Sequence, residues 1–598
     1  MTLKYSSNHT RILQGIQIVL TSSLLLLSGC SASFLNDHDS NVSGVALPLL
    51  SSLDAHDSSL LKTTGPSLHI DANTMFQILA AEMMVQRGLP AQAFDVVYDI
   101  ALKTQDSALA ERAFELSMTT YDAQKIEAAT KLWREVSPKA PVAWRASFLI
   151  SLRQGALELA LEQWHRYHSL SEEGLDDDLL LTAQRVSTSV EAQHGVVFMQ
   201  SLVQAFPDAW AAYFSLGYVA HVHGQLDLAL AALEKARNLQ TTESAPQIHR
   251  LLAKLYLQLS LPQRGLDTLN PYLKKHPEDW VVQERVARLE VQAKLYDAAE
   301  VRYKNILKSV PDAYTSRLSL ALLQIERESY SQAEVNLNQV MLAKGYENVA
   351  NYYLGLLHQE QKSYEKALLH FSRVASDNYY VDAQLHRAEI YFSMSDMSKA
   401  FNVLDLIKLE SPLDKIKVYR AKGVFYSYAD KYAQAVEEYK KVLAIDPSHI
   451  EVLMAQALLF YKLELFDAYV DNLKRVIELD PNEVDALNAL GYFYVEKKTH
   501  HEIAEDLLKQ AYALAPESYY VLDSLGWFYF QKQDYAQAEV FLLKALDIEV
   551  DDEVLIHLIS TYWQQGNRAK AKLMWKKYHE KFLQNKRLQN LIEQLEAQ

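Results

Sequence analysis

Small, aromatic and branched apolar residues return along this chain on a fixed beat. Ala253, Ala287, Ala321 and Gly355 stand 34 residues apart, as do Gly423, Ala457 and Gly491. Between Ile416 and Pro447 the order is Gly423 and Tyr426 on one predicted helix, then Ala435, Tyr439, Val442 and a closing Pro447 on a second. Ala457, Phe460, Tyr469, Leu473, Val476 and Pro481 repeat it. Small residues let two antiparallel helices approach, and larger side chains fill the grooves between their ridges. A period of this length predicts an all-α solenoid in which each helix pair stacks on the last.

The second-helix small position reads Ala299, Ala333, Ala367, Ala400, Ala435 and Ala538, with Gly265 and Tyr469 as departures. Three residues earlier stands Tyr296, Tyr330, Tyr364, Phe466, Tyr432 or Tyr535. Prolines cannot continue a helix, so Pro141, Pro207, Pro277, Pro311, Pro412, Pro447, Pro481 and Pro516 are expected to close units. One extra residue within Lys497–His501 lengthens the Gly491 unit, and the last unit, around Tyr562, Ala571 and Trp575, lacks its proline. From about 70 to 209 the beat is weaker but kept by Ala93, by Ala129 with Trp133, and by Trp144 with Ala160 and Trp164.

This pattern resembles the tetratricopeptide repeat. The resemblance implies a right-handed superhelical solenoid of 12 to 15 helix pairs, with degenerate repeats at 69–209, clear repeats at 210–583 and a capping helix at 584–598. In such arrays the first helices line a concave face, through positions three before and one, four and five after the small residue. Carried onto this chain, those positions hold Tyr352, Arg420, Tyr428, Met454, Tyr461, Tyr492, Trp527 and Phe530, with Arg288 and Lys462 among them. Aromatic side chains give large contact area for little lost entropy, so these residues are the candidate partner-binding groove. The lysine–asparagine pair with which some repeat domains clamp a chaperone's terminal carboxylate is missing from every unit.

The amino terminus carries an address. Lys4 and Arg11 precede an apolar run from Ile16 to Leu27, too short to span a bilayer stably and followed by small residues. Leu27-Ser28-Gly29-Cys30 resembles the bacterial lipobox, which implies removal of a signal peptide at 1–29 and acylation of Cys30. Ser31, where an aspartate would favour the inner membrane, points by the same resemblance to the outer membrane, on its periplasmic side. Several acyl chains suffice for lasting anchorage. The stretch 30–68, rich in Ser, Asp and Asn, reads as a tether of roughly 35 Å root-mean-square span, with an apolar segment, Val45–Leu53, able to dock.

Charge and chemistry narrow the field further. A net charge of −16 argues against nucleic acid or an anionic leaflet as the main partner. Cys30 is the single cysteine, which excludes an intramolecular disulfide and a cysteine-based zinc cage. No zinc-protease, phosphate-loop, nucleophile-elbow or dinucleotide motif occurs. His221 and His223 fall on different helix faces, and His500-His501 lies in a predicted turn. No catalytic residue, metal or cofactor is expected, and the chain reads as a non-enzyme.

Three stretches resemble a group of large proteobacterial lipoproteins. They are Gln86-Arg87-Gly88 through Thr104-Gln105-Asp106 to Glu111-Arg112-Ala113, then Asp485 to Tyr492, then Leu522 to Trp527. That resemblance implies an outer-membrane adaptor that binds a periplasmic carboxyl-terminal processing protease and its substrates, the peptidoglycan hydrolases, and promotes their proteolysis. The alternative is an assembly scaffold for a secretion, polysaccharide-export or pilus machine.

Overall fold

The computed structural model describes residues 71–240, 245–375, 378–582 and 585–596. The stretches expected to form a signal peptide (1–29), a lipobox with Cys30, the Ser31 sorting position and a tether with Val45–Leu53 all lie outside the described residues. Among the described residues there are thirty-one α-helices, one short 3-10 turn and no strand. None of these helices is long and apolar enough to cross a membrane.

The chain divides into two compact units between Ser329 and Tyr330. The first holds seven antiparallel helix pairs, from Ala72–Gln86 with Pro90–Thr104 to Trp280–Gln292 with Tyr296–Ser309, and ends on Tyr314–Glu326. The second opens on Tyr330–Val340, runs through seven more pairs from Glu347–Glu360 with Tyr364–Ser372 to Asp552–Gln564 with Arg568–Tyr578, and ends on Lys586–Glu596. Each unit is a solenoid of the tetratricopeptide type. Before residue 210 the element order keeps its beat, but one pair is loose: Leu175–Ser189 packs chiefly on Trp210–Val222 and only lightly on Ala192–Ala205.

The small residues do what the pattern requires. Ala253, Ala287, Ala321 and Ala299, Ala333, Ala367 have no exposed surface. A methyl group on Gly355 would come within 2.6 Å of the Phe371 ring, and one on Gly423 would run into the ring of Tyr439. Phe371 and Tyr439 each stand four residues after the second-helix alanine, so the bulky residue of one helix seats on the bare backbone of its mate. Tyr296, Tyr330, Tyr364, Tyr432, Phe466 and Tyr535 each form the first residue of a second helix.

The prolines split into two groups. Pro207, Pro277, Pro311, Pro447, Pro481 and Pro516 follow second helices, as expected. Pro141 and Pro412 instead open first helices, Pro141–Arg153 and Pro412–Tyr428. The first helical position leaves its N–H unpaired in any case and wants the backbone angle that proline enforces.

The turn inside each pair repeats a geometry that the sequence does not announce. Ser260, Lys294, Glu328, Lys362, Ser395, Asp430, Glu464 and Gln533 all take positive φ. The next residue closes each turn by donating its N–H five residues back: Leu295 to Glu290 at 2.8 Å, Leu465 to Phe460 at 2.8 Å, Asp534 to Tyr529 at 2.9 Å. This is the left-handed helix terminus usually built on glycine, as it is here at Gly88, Gly155, Gly224 and Gly566. The extra residue of the Gly491 unit appears as a second positive φ, at His500 beside Lys498.

Candidate partner-binding face

Successive first helices of the second unit touch through the side chains that precede and follow their small residues. Lys417 Nζ reaches Asp382 at 2.6 Å, Arg420 reaches Glu451 at 3.1 Å, and the Tyr461 hydroxyl donates to Glu496 at 3.0 Å. The Tyr520 hydroxyl donates to Asp485 at 2.8 Å, and Asp523 meets His557 at 2.8 Å. These contacts form a ladder with one rung per repeat, on the side of the first helices that their small residues leave free.

The eight candidates lie on that ladder but differ in access. Tyr428 is 40% exposed and rests edge-on against Phe392. The Arg420 side chain is 40% exposed beside Glu451. Tyr352 is half-buried among Tyr353, Phe371, Tyr379 and His386. Met454 packs against the core, and Tyr461 meets the rings of Phe466, Tyr469 and Phe493. Lys462 lies 4.8 Å over the Tyr432 ring, and Arg288 is buried beside Glu284. The aromatic residues therefore serve packing between repeats as well as the face itself.

At the carboxyl-terminal end the face is filled by its own side chains. Phe530, Trp527 and His557 stack in a column, with ring centroids 4.5 and 4.0 Å apart. The Tyr492 hydroxyl donates to Glu553, two repeats away, at 3.1 Å, and Arg587 lies 3.6 Å from the same carboxylate. Burial, then the carboxylates of Glu553 and Asp523, hold the Tyr492 phenol well above its ordinary value. Burial would lower the His557 pKa, but the charges of Asp523 and Glu553 outweigh it and hold the imidazole above its usual range. A protonated His557 under Trp527 is then a cation on an aromatic face. The second oxygen of Asp523 and the Asn488 carbonyl are buried with no hydrogen-bond partner among the described residues.

Asn488, Asp523 and His557 are the residues that sequence reasoning missed. The first two stand three before Gly491 and Gly526, a position already assigned to the face, but as small polar residues they offer none of the contact area that marks an aromatic groove. His557 escaped because Ser560 takes the small place in the last unit.

The first unit presents different chemistry on its own first helices. His221 is pushed down to about 4 by burial, then by the charges of Lys254 and Arg285. Arg285 donates to the Arg250 carbonyl at 2.6 Å and so bridges adjacent repeats. Cations gather here, whereas carboxylates gather near Tyr492.

Helix pairs joined by such a ladder define a tetratricopeptide-type repeat scaffold, the class of protein that works by holding other proteins. Tetratricopeptide repeat families match residues 198–247, 416–449 and 519–551. Over 487 residues the chain is 27% identical to TPR repeat-containing protein PA4667 of Pseudomonas aeruginosa, covering 81% of this chain and 82% of that protein. Among solved structures, it is similar to a tetratricopeptide repeat protein from Parabacteroides merdae (16% identity, 42% of this chain and 98% of that one, TM-score 0.34). It is also similar to a chain of the APC/C hetero-tetramer Cut9-Hcn1 (16% identity, 71% and 90%, TM-score 0.32).

Proposed function

We propose that this protein is a non-enzymatic adaptor, anchored to the outer membrane through Cys30, that holds a periplasmic processing protease together with its peptidoglycan-hydrolase substrates. The observation that carries the binding role is the rung-by-rung ladder of first helices, with Tyr428 and Arg420 open to a partner. The lipobox and the resemblance to proteobacterial lipoproteins support the anchor and the choice of partners. An adaptor needs two surfaces and no chemistry. Holding protease and substrate on one short-linked scaffold raises their effective concentration to about the millimolar range.

Co-purification from membranes tests the reading: the protease and hydrolases are expected with the wild-type chain, and less of them with a Tyr428→Ala, Arg420→Ala variant. Labelled palmitate is expected on the wild type and not on Cys30→Ser. Hydrolase levels unchanged after deletion of the protein would overturn the adaptor role.

A further inference from the structure

We propose that the outward side of the last two second helices, Tyr535–Ile548 and Arg568–Tyr578, docks an acidic segment of a partner protein that carries apolar side chains. The charge of this region breaks with the rest of the chain. Residues 568–587 contain eight basic residues and a single acid, in a protein of net charge −16. Lys572, Leu573, Lys576 and Lys577 form one exposed stripe of the last second helix, with Leu573 60% exposed. Lys570 pairs with Glu539 at 2.8 Å and ties this helix to the one before. That neighbour adds Val540, 46% exposed, and Lys544.

The position two after the small residue is apolar at Val540 and Leu573, as it is at Val301, Val335 and Leu369 in earlier repeats, and acidic at Glu437, Asp471 and Asp506. In the last second helix it is flanked by Lys572, Lys576 and Lys577. Lys572 and Lys576 have no carboxylate in ion-pair range among the described residues. Like charges at helical spacing repel one another, so an arriving acidic group relieves that repulsion as well as pairing.

A peptide fits this surface better than a bilayer does. The last second helix has eleven residues and is therefore about 16 Å long, the span of a short segment. Trp575, Tyr578 and Phe582 pack, partly buried, against the core and do not stand free as an interfacial aromatic belt would. The acidic remainder of the chain would be repelled by an anionic leaflet. This face is separate from the ladder of first helices, so it supplies a second docking surface whether or not the protease reading holds.

Fluorescence anisotropy of a labelled Glu/Asp-rich peptide carrying two leucines, titrated with the full chain, tests the proposal. Binding that weakens with salt is expected. Lys572→Glu, Lys576→Glu, Lys577→Glu together should weaken it by about tenfold or more, and Leu573→Ser by a smaller factor. Lys440→Glu, Lys441→Glu, on another second helix, should leave it unchanged, and circular dichroism should show all variants helical. Equal affinity for the Lys572/Lys576/Lys577 variant and the wild type would overturn the proposal. So would flotation with phosphatidylglycerol vesicles in the absence of peptide binding.

Discussion

The Tyr492 hydroxyl bonds to the Glu553 carboxylate across two full repeats, at 3.1 Å. A side chain from one first helix thus passes over the next, Tyr519–Gln531, and fastens on the one beyond. Neighbouring repeats ordinarily interact only in sequence order, so this bond couples three of them. Tyr492→Phe keeps the ring and removes the donor from a buried carboxylate. A hydrogen bond to a charged group contributes about 1.5–3 kcal/mol, and a loss in this range is expected because Glu553 is buried. Hydrogen exchange should quicken in Asp552–Gln564 and leave Glu347–Glu360 unaffected.

The His557–Asp523 pair gives the carboxyl-terminal repeats a pH dependence of definite sign. The folded state holds His557 above its ordinary value of 6.5, so folding favours the protonated form. Its contribution is complete below the ordinary value and is lost as pH rises through the raised one. Exchange protection in Asp552–Gln564 should therefore fall as pH climbs from 6.5 through the raised value, after correction for intrinsic rates. His557→Gln should flatten that dependence.

His221 and His249 work in the opposite direction in the first unit. Each is pushed down to about 4, by burial first and then by nearby cations, Lys254 and Arg285 for His221 and Arg237 for His249. The folded state favours the neutral rings, so their contribution is present above 6.5 and lost as pH falls towards 4. Helices Trp210–Val222 and Pro246–Gln258 should lose protection over that window. A double His221→Gln, His249→Gln variant should lose less.

Much of the fold was legible because close helix packing leaves few choices of residue. Gly355 and Gly423 admit no methyl group beneath Phe371 and Tyr439, and that constraint is what the 34-residue beat records. Pro141 and Pro412 misled because proline suits both the gap after one helix and the first turn of the next. The left-handed turns stayed hidden because Lys294, Glu328 and Glu464 carry no chemical mark of their backbone angle. The face was half legible. Its positions follow from the repeat, but whether Trp527 meets solvent or His557 depends on the neighbouring rung, and Ser560 obscured where that rung begins.

Gly423 tests the packing rule directly. Gly423→Ala places a methyl group against the ring of Tyr439, which is itself almost fully buried. Overpacking of this kind costs about 1–3 kcal/mol. Pairing it with Tyr439→Leu should recover part of the loss, since Leu542 fills the same place over Gly526 and Leu508 over Gly491. Exchange protection of Pro412–Tyr428 and Tyr432–Ile445 in the single and double variants checks both expectations.

Lys294 tests the turn. Its φ of 59° places a side chain in the left-handed region, where an L-residue is disfavoured by about 1–2 kcal/mol. Glycine removes that strain but gives back part of the gain through the greater freedom of the unfolded chain. Lys294→Gly should therefore stabilise the pair Trp280–Gln292 with Tyr296–Ser309 by about 0.5–1 kcal/mol. Gly224→Ala, made at the equivalent turn where φ is 75°, should destabilise. Exchange protection of the two flanking helices reads each change where it acts, which one melting temperature for so long a repeat array does not. Opposite signs at the two turns would establish that backbone angle, not side-chain contact, governs them, because a methyl group on Gly224 has open space around it.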